Sequence, residues 1–254
     1  MGKRIQSFCA TFSNHFQLRT RNVATQSQQY LCGLMQARRK NMERMAEVIP
    51  DSDDQALQHF LSNSNWDERG VLDQVALEAD KLLGGAQDSA LLIDESGITK
   101  KGKKSVGVER QWNGRLGKVD NCQVGVYAAL SKGNLSTLID TRLYLPSKWT
   151  TDKARCEAAG IPSKSRTLKT KPALALEMIR HNRALGVRFN WVGADGLYGQ
   201  DPAFLRALED DGEIFMADVH KDQRIYLEDP EPTIPATSPH TGDSHLHELP
   251  QLPL

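Results

Sequence analysis

Long hydrophobic runs are missing from this 254-residue chain. Nothing in it approaches the roughly 18 consecutive apolar residues of a membrane helix, so no membrane partner is expected. The amino-terminal MGKRIQSFCATFSNHF also lacks the continuous apolar stretch of a secretory signal, and a cytoplasmic location is the expectation. Cysteine is scarce. Its four copies, Cys9, Cys32, Cys122 and Cys156, are scattered with no CxxC pair, which argues against a zinc site or a disulfide framework. Net charge is absent too, with 32 basic and 32 acidic side chains.

That zero hides an uneven distribution. Residues 1–98 carry 10 basic and 13 acidic side chains, residues 99–171 carry 16 and 5, and residues 201–254 carry 3 and 12. A middle segment this basic needs either a polyanionic partner or an acidic neighbour in the fold, and charge alone leaves both open.

Three regions follow from the patterning: a helical segment over 1–85, an α/β segment over 86–229 and a tail over 230–254. In the first, Leu31, Leu34, Met35, Met42, Met45, Ala46 and Val48 recur at helical spacing up to Pro50. Ser52 and Gln55 fit a capping box for the next helix, and a further helix is expected from Asp67 to Leu83, closed by Gly84-Gly85. Strands are expected over 90–94, 106–112, 122–130, 138–145, 188–194 and 213–219, where β-branched and apolar residues run together or alternate. Helices open at Pro172 and at Asp201-Pro202, and Gly212 stops the second. The tail holds six of the eleven prolines and reads as disordered. Its His245 and His247 have the spacing of a metal pair but no partner cysteines.

Asp94 and Asp195 are the chemically suggestive residues. Each follows a short apolar run and precedes a turn, in LLIDESG and WVGADGLYGQ. An aspartate closing a buried strand is costly unless a cation or hydrogen bonds compensate it, although turn and cap aspartates are common. Two such strands side by side would bring both carboxylates to one edge, the arrangement that two-metal phosphoryl transfer requires. Glu95 should face the opposite side of its strand and is the weaker candidate. Two basic sets, Lys100, Lys101, Lys103, Lys104 and Lys164, Arg166, Lys169, Lys171, could contact a DNA backbone or be solvated surface.

Several motifs in order carry a resemblance. Leu92-Ile93-Asp94-Glu95-Ser96-Gly97 with Lys100–Val108, then Asn121–Val126, resembles the first catalytic block of DDE transposases of bacterial insertion sequences and the strand after it. Leu143-Tyr144-Leu145-Pro146 with Trp149, Ala159-Gly160-Ile161-Pro162 and Thr170-Lys171-Pro172 are similar to blocks of the same family, and Gly193–Gly199 resembles its second catalytic block. The resemblance runs from about Ala37 to Pro230. It implies an RNase H-like mixed sheet with a three-strand meander and flanking helices, preceded here by a small all-helical region. It further implies that Asp94 and Asp195 bind two Mg²⁺ ions, with Mn²⁺ as a substitute, and that water cleaves double-stranded DNA at the transposon end. The freed 3′-hydroxyl then attacks target DNA, in a homo-oligomeric complex.

The family's third carboxylate, a glutamate on a later helix in a Tyr-x-x-Arg-x-x-x-Glu pattern, has no match after Asp195. A chain truncated before that residue, and inactive alone, is therefore expected. The alternatives are a non-catalytic repressor of transposition that binds DNA or full-length subunits, and a structure-specific nuclease on the same core.

Overall fold

The computed structural model of the chain describes residues 2–219, 221 and 222. The proline-rich segment 230–254, with His245 and His247, lies outside the described residues.

The amino-terminal part is helical: α1 (Gly2–Ala10), α2 (Ala24–Gln36), α3 (Met42–Val48), α4 (Asp54–Ser62) and α5 (Glu68–Leu83). The apolar run expected to be continuous up to Pro50 is broken between α2 and α3. Ala37 turns extended, and the Asn41 side chain caps α3 by accepting from the Arg44 amide at 3.1 Å. Asn competes for backbone donors better than it serves inside a helix, so a new helix starts there. The expected Ser52–Gln55 capping box does not form. Asp53 is the cap, accepting from the Ala56 amide, and the Ser52 hydroxyl is buried without a partner. A carboxylate also favours the positive end of the helix dipole, which a hydroxyl cannot match. Phe16, Phe60 and Trp66 cluster at the centre of this part, the last two stacked with centroids 5.9 Å apart.

Six strands follow: β1 (Ala90–Thr99), β2 (Glu109–Asn113), β3 (Lys118–Lys132), β4 (Leu135–Leu143), β5 (Trp191–Ala194) and β6 (Phe215–Ala217). Between β4 and β5 lie α6 (Ser147–Thr150), α7 (Lys153–Ala158) and α8 (Lys171–Leu185), and between β5 and β6 lie α9 (Gly196–Gly199) and α10 (Pro202–Asp210). The sheet order is β2-β3-β1-β5-β6, with β4 also paired to β3. β3 is antiparallel to β1, β2 and β4, whereas β5 and β6 run parallel to β1 and to each other. An antiparallel meander continued by parallel strands, with helices alongside, is the RNase H-like arrangement the resemblance implies.

Strand boundaries differ from expectation at both aspartate motifs. β1 does not close at Asp94 but runs on to Thr99, because β3 supplies a partner as far as Cys122. β5 begins only at Trp191. Ahead of it the Arg188 amide and Nε both donate to the buried Asp80 at the end of α5, at 2.8 and 2.9 Å. Those donors are committed to a helix and cannot join a ladder.

One face of the sheet is the core. Leu91, Ile93, Val126, Ala128, Leu130, Ile139 and Val192 pack against Ala76, Ala79 and Leu83 of α5 and Ala175, Met178 and Ile179 of α8. Each large apolar side chain buried there contributes about 1.5–3 kcal/mol. Phe204 and Leu208 of α10 extend the same core.

Candidate active site

Asp94 and Asp195 are brought together by the backbone ladder. β1 and β5 are parallel neighbours, with Ile93 opposite Ala194, so the two aspartates are the next residues on adjacent strands. Asp195 is where β5 ends and α9 begins. Its side chain accepts from the Leu197 amide at 3.0 Å, which fixes the carboxylate at a helix start. Gly199 lets α9 sit tightly: a Cβ there would fall 2.0 Å from the Asp218 carbonyl oxygen.

Glu95, the weaker candidate by sequence, joins them. Ligand oxygens of Asp94, Glu95 and Asp195 all lie within 4.8 Å of one another. Alternation does turn Glu95 to the other face of β1 from Asp94. But β5 has ended at Ala194, so beyond that point no strand separates the two faces of β1 on that edge, although β3 stays paired on the other. A cavity of about 530 Å³ opens here, lined by the three carboxylates with Ser96, Trp112 and Arg115.

The electrostatics are those of crowded anions. Burial, and then the negative charges of Glu95 and Asp94, push the Asp195 carboxyl above its usual range, while the Leu197 amide pulls it partly back. Glu95 Oε1 accepts from Lys171 Nζ at 2.8 Å, and both side chains are largely buried. Tyr198 stands behind the cluster. Its hydroxyl is fully buried, and burial and the Glu95 charge push its ionisation far above the usual phenol range. Three hard oxygen donors converging on a solvent-facing gap, with one lysine among them, fit a divalent cation of the Mg²⁺ or Mn²⁺ kind.

The two basic sets end differently. Lys101, Lys103 and Lys104 are exposed in the turn after β1, Lys100 is half-buried, and none of the four pairs with a carboxylate among the described residues. In the second set Lys171 is paired to Glu95, Lys169 to Glu177 at 2.6 Å, and Arg166 to Glu157 at 3.1 Å. A larger cleft of about 880 Å³ lies between α5, β4 and α8. Its arginines, Arg69 and Arg142, are both held by the buried Asp140, and it contains no comparable carboxylate cluster.

Sequence reasoning ranked Glu95 as the weaker candidate and did not single out Tyr198. The signal for Tyr198 was present: three residues past Asp195 is one helical turn, which carries the ring back toward the end of β5.

Among the described residues no helix is long and apolar enough to cross a membrane. The family of DDE superfamily endonucleases matches residues 11–252. The chain is 33% identical over 165 residues to the "probable transposase for insertion sequence element IS701" of Microchaete diplosiphon, an alignment covering 64% of this chain and 40% of that protein. The chain thus spans about two fifths of the length of the curated relative it matches. With the family matched across nearly the whole sequence and the fold its motifs imply, the chain belongs to the DDE superfamily endonucleases.

Proposed function

We propose that this chain carries the metal-binding half of a transposase active site, with Asp94 and Asp195 as ligands of the divalent metal. The observation that carries this reading is the meeting of both aspartates, from separate motifs, on adjacent parallel strands. Bound divalent metal would supply an activated oxygen nucleophile and neutralise charge on the phosphodiester. Asp94 and Asp195 orient that chemistry. Asp195 is pinned by the Leu197 amide, and Asp94 accepts from the Glu95 amide at 2.7 Å. Lys100, Lys101, Lys103 and Lys104, in the turn that follows β1, would hold the backbone of double-stranded DNA. The reaction proposed is cleavage at the element end followed by strand transfer from the 3′-hydroxyl, in an assembly of several copies.

A second reading, DNA binding without cleavage, is favoured by one observation. Among the described residues the carboxylate beside the two aspartates is Glu95, from the same strand as Asp94, rather than a residue from a helix. The readings separate in a Mg²⁺ or Mn²⁺ cleavage and strand-transfer assay on end-containing DNA, run beside a binding titration. The transposase reading expects Asp94→Asn and Asp195→Asn to lower cleavage by at least about 100-fold with binding nearly intact, since each removes a ligand charge and keeps the shape. Cleavage retained in either variant sinks that assignment. Binding with no cleavage, even in a protein restored with the family's third carboxylate, favours the second.

A further inference from the structure

Glu95 is held on one side only. Oε1 takes the Lys171 ammonium, whereas Oε2 is buried with no hydrogen-bond partner among the described residues. The Tyr198 hydroxyl is in the same condition, on a side chain with no exposed surface. It makes no hydrogen bond to a described residue, although the Glu95 carboxylate acts on it more strongly than Asp195 or Asp94. Buried polar atoms nearly always find partners, so two orphaned oxygens at one acidic pocket need an explanation. Packing alone does not provide it. The Tyr198 ring sits against Phe204 at 5.7 Å, and a phenylalanine would fill that space without carrying a hydroxyl inside.

We propose that Glu95 is a third oxygen donor to the divalent ion held by Asp94 and Asp195, and that Tyr198 is its positioning residue, donating its hydroxyl hydrogen to Glu95. The inference rests on the metal-site reading above. The chemistry is complementary: a phenol has one hydrogen to give, and a carboxylate already held by Lys171 on one oxygen still accepts on the other. A hydroxyl fixed in this way limits the rotation of the Glu95 carboxylate. Groups that orient ligands in this manner commonly change metal affinity by about 10–100-fold when removed.

The test uses the full chain, with Mn²⁺ alone as the probe. Affinity is measured by calorimetry for the unaltered protein and for Asp195→Asn, Glu95→Gln and Tyr198→Phe, and melting is followed in chelator and in Mn²⁺. The expectation is a loss of about 10–100-fold in Mn²⁺ affinity for Glu95→Gln and Tyr198→Phe. In chelator, Tyr198→Phe should melt no lower than the unaltered chain, because it removes an orphaned hydroxyl and keeps the ring. Its Mn²⁺-induced rise in Tm should nevertheless shrink, a split that a purely structural tyrosine would not produce. If Glu95→Gln and Tyr198→Phe bind Mn²⁺ like the unaltered chain while Asp195→Asn does not, this inference is overturned and the metal site stands. If the unaltered chain binds no Mn²⁺, or Asp195→Asn binds it fully, the metal-site reading falls and takes this inference with it.

Discussion

The two basic segments look alike as text and differ as structure. The turn at 100–104 presents Lys101, Lys103 and Lys104 to solvent, while the segment at 164–171 turns three of its four charges onto Glu157, Glu177 and Glu95. The second segment also leads into α8 and helps pin that helix to the sheet. Charge counted along a chain therefore overstates the field a ligand meets, because neutralisation is set by tertiary neighbours. Residues 99–171 carry 16 basic side chains, and half of them fall in these two pools. One is available to a polyanion, and the other mostly ties elements together.

The largest effect that could break this comparison is on DNA affinity. Replacing Lys100, Lys101, Lys103 and Lys104 together by alanine should weaken binding on the order of 100-fold and flatten the log–log salt slope by roughly 3–4, at about 0.9 per lost phosphate contact. Melting should be unchanged. An unaltered slope, measured by fluorescence anisotropy from low to moderate salt, would remove this turn from the contact surface.

Next in size is the opposite signature at Lys171. Lys171→Met leaves the Glu95 carboxylate without its counter-ion in a largely buried place, and should destabilise the fold by about 2 kcal/mol. Urea unfolding in chelator reads this out, and the DNA salt slope should move by less than about 1. A variant as stable as the parent but with a flatter slope would return Lys171 to the DNA-contacting pool.

The smallest effect is at Lys169. Its pair with Glu177 is exposed at 45% on both sides, and such pairs contribute less than about 0.5 kcal/mol. Lys169→Ala should thus be nearly silent in urea. A loss as large as that of Lys171→Met would show that burial does not separate the two pairs.

Much of the fold was legible, for local reasons. Asp67, Thr170 and Asp201 cap the helices they precede, each accepting from an amide two or three residues on. All six strands form near where the pattern put them, and Gly212 ends α10 with a positive φ. The misjudged strand boundaries share one cause: a competing partner from far away in sequence. Asp80 takes the Arg188 donors ahead of β5, and β3 extends β1 past Asp94. Likewise Asp94 and Asp195 stood out because their motifs are local. Glu95 was discounted because period-2 alternation is a rule for strands with neighbours on both sides, and β1 loses one at that point. Lys171 is one residue of a charged string until α8 docks and sets it beside Glu95.

The β1–β5 register has a consequence for how the site tolerates change. Adjacent strands sit about 4.8 Å apart through their backbone hydrogen bonds, whatever side chains they carry. The Ile93–Ala194 rung therefore acts as a ruler, and the gap between the two aspartates is inherited from the peptide backbone. A substitution in the packed core beneath, such as Ile179→Val, can lower how much of the protein is folded at a given temperature. In the molecules that remain folded, the spacing offered to a cation is still one strand width.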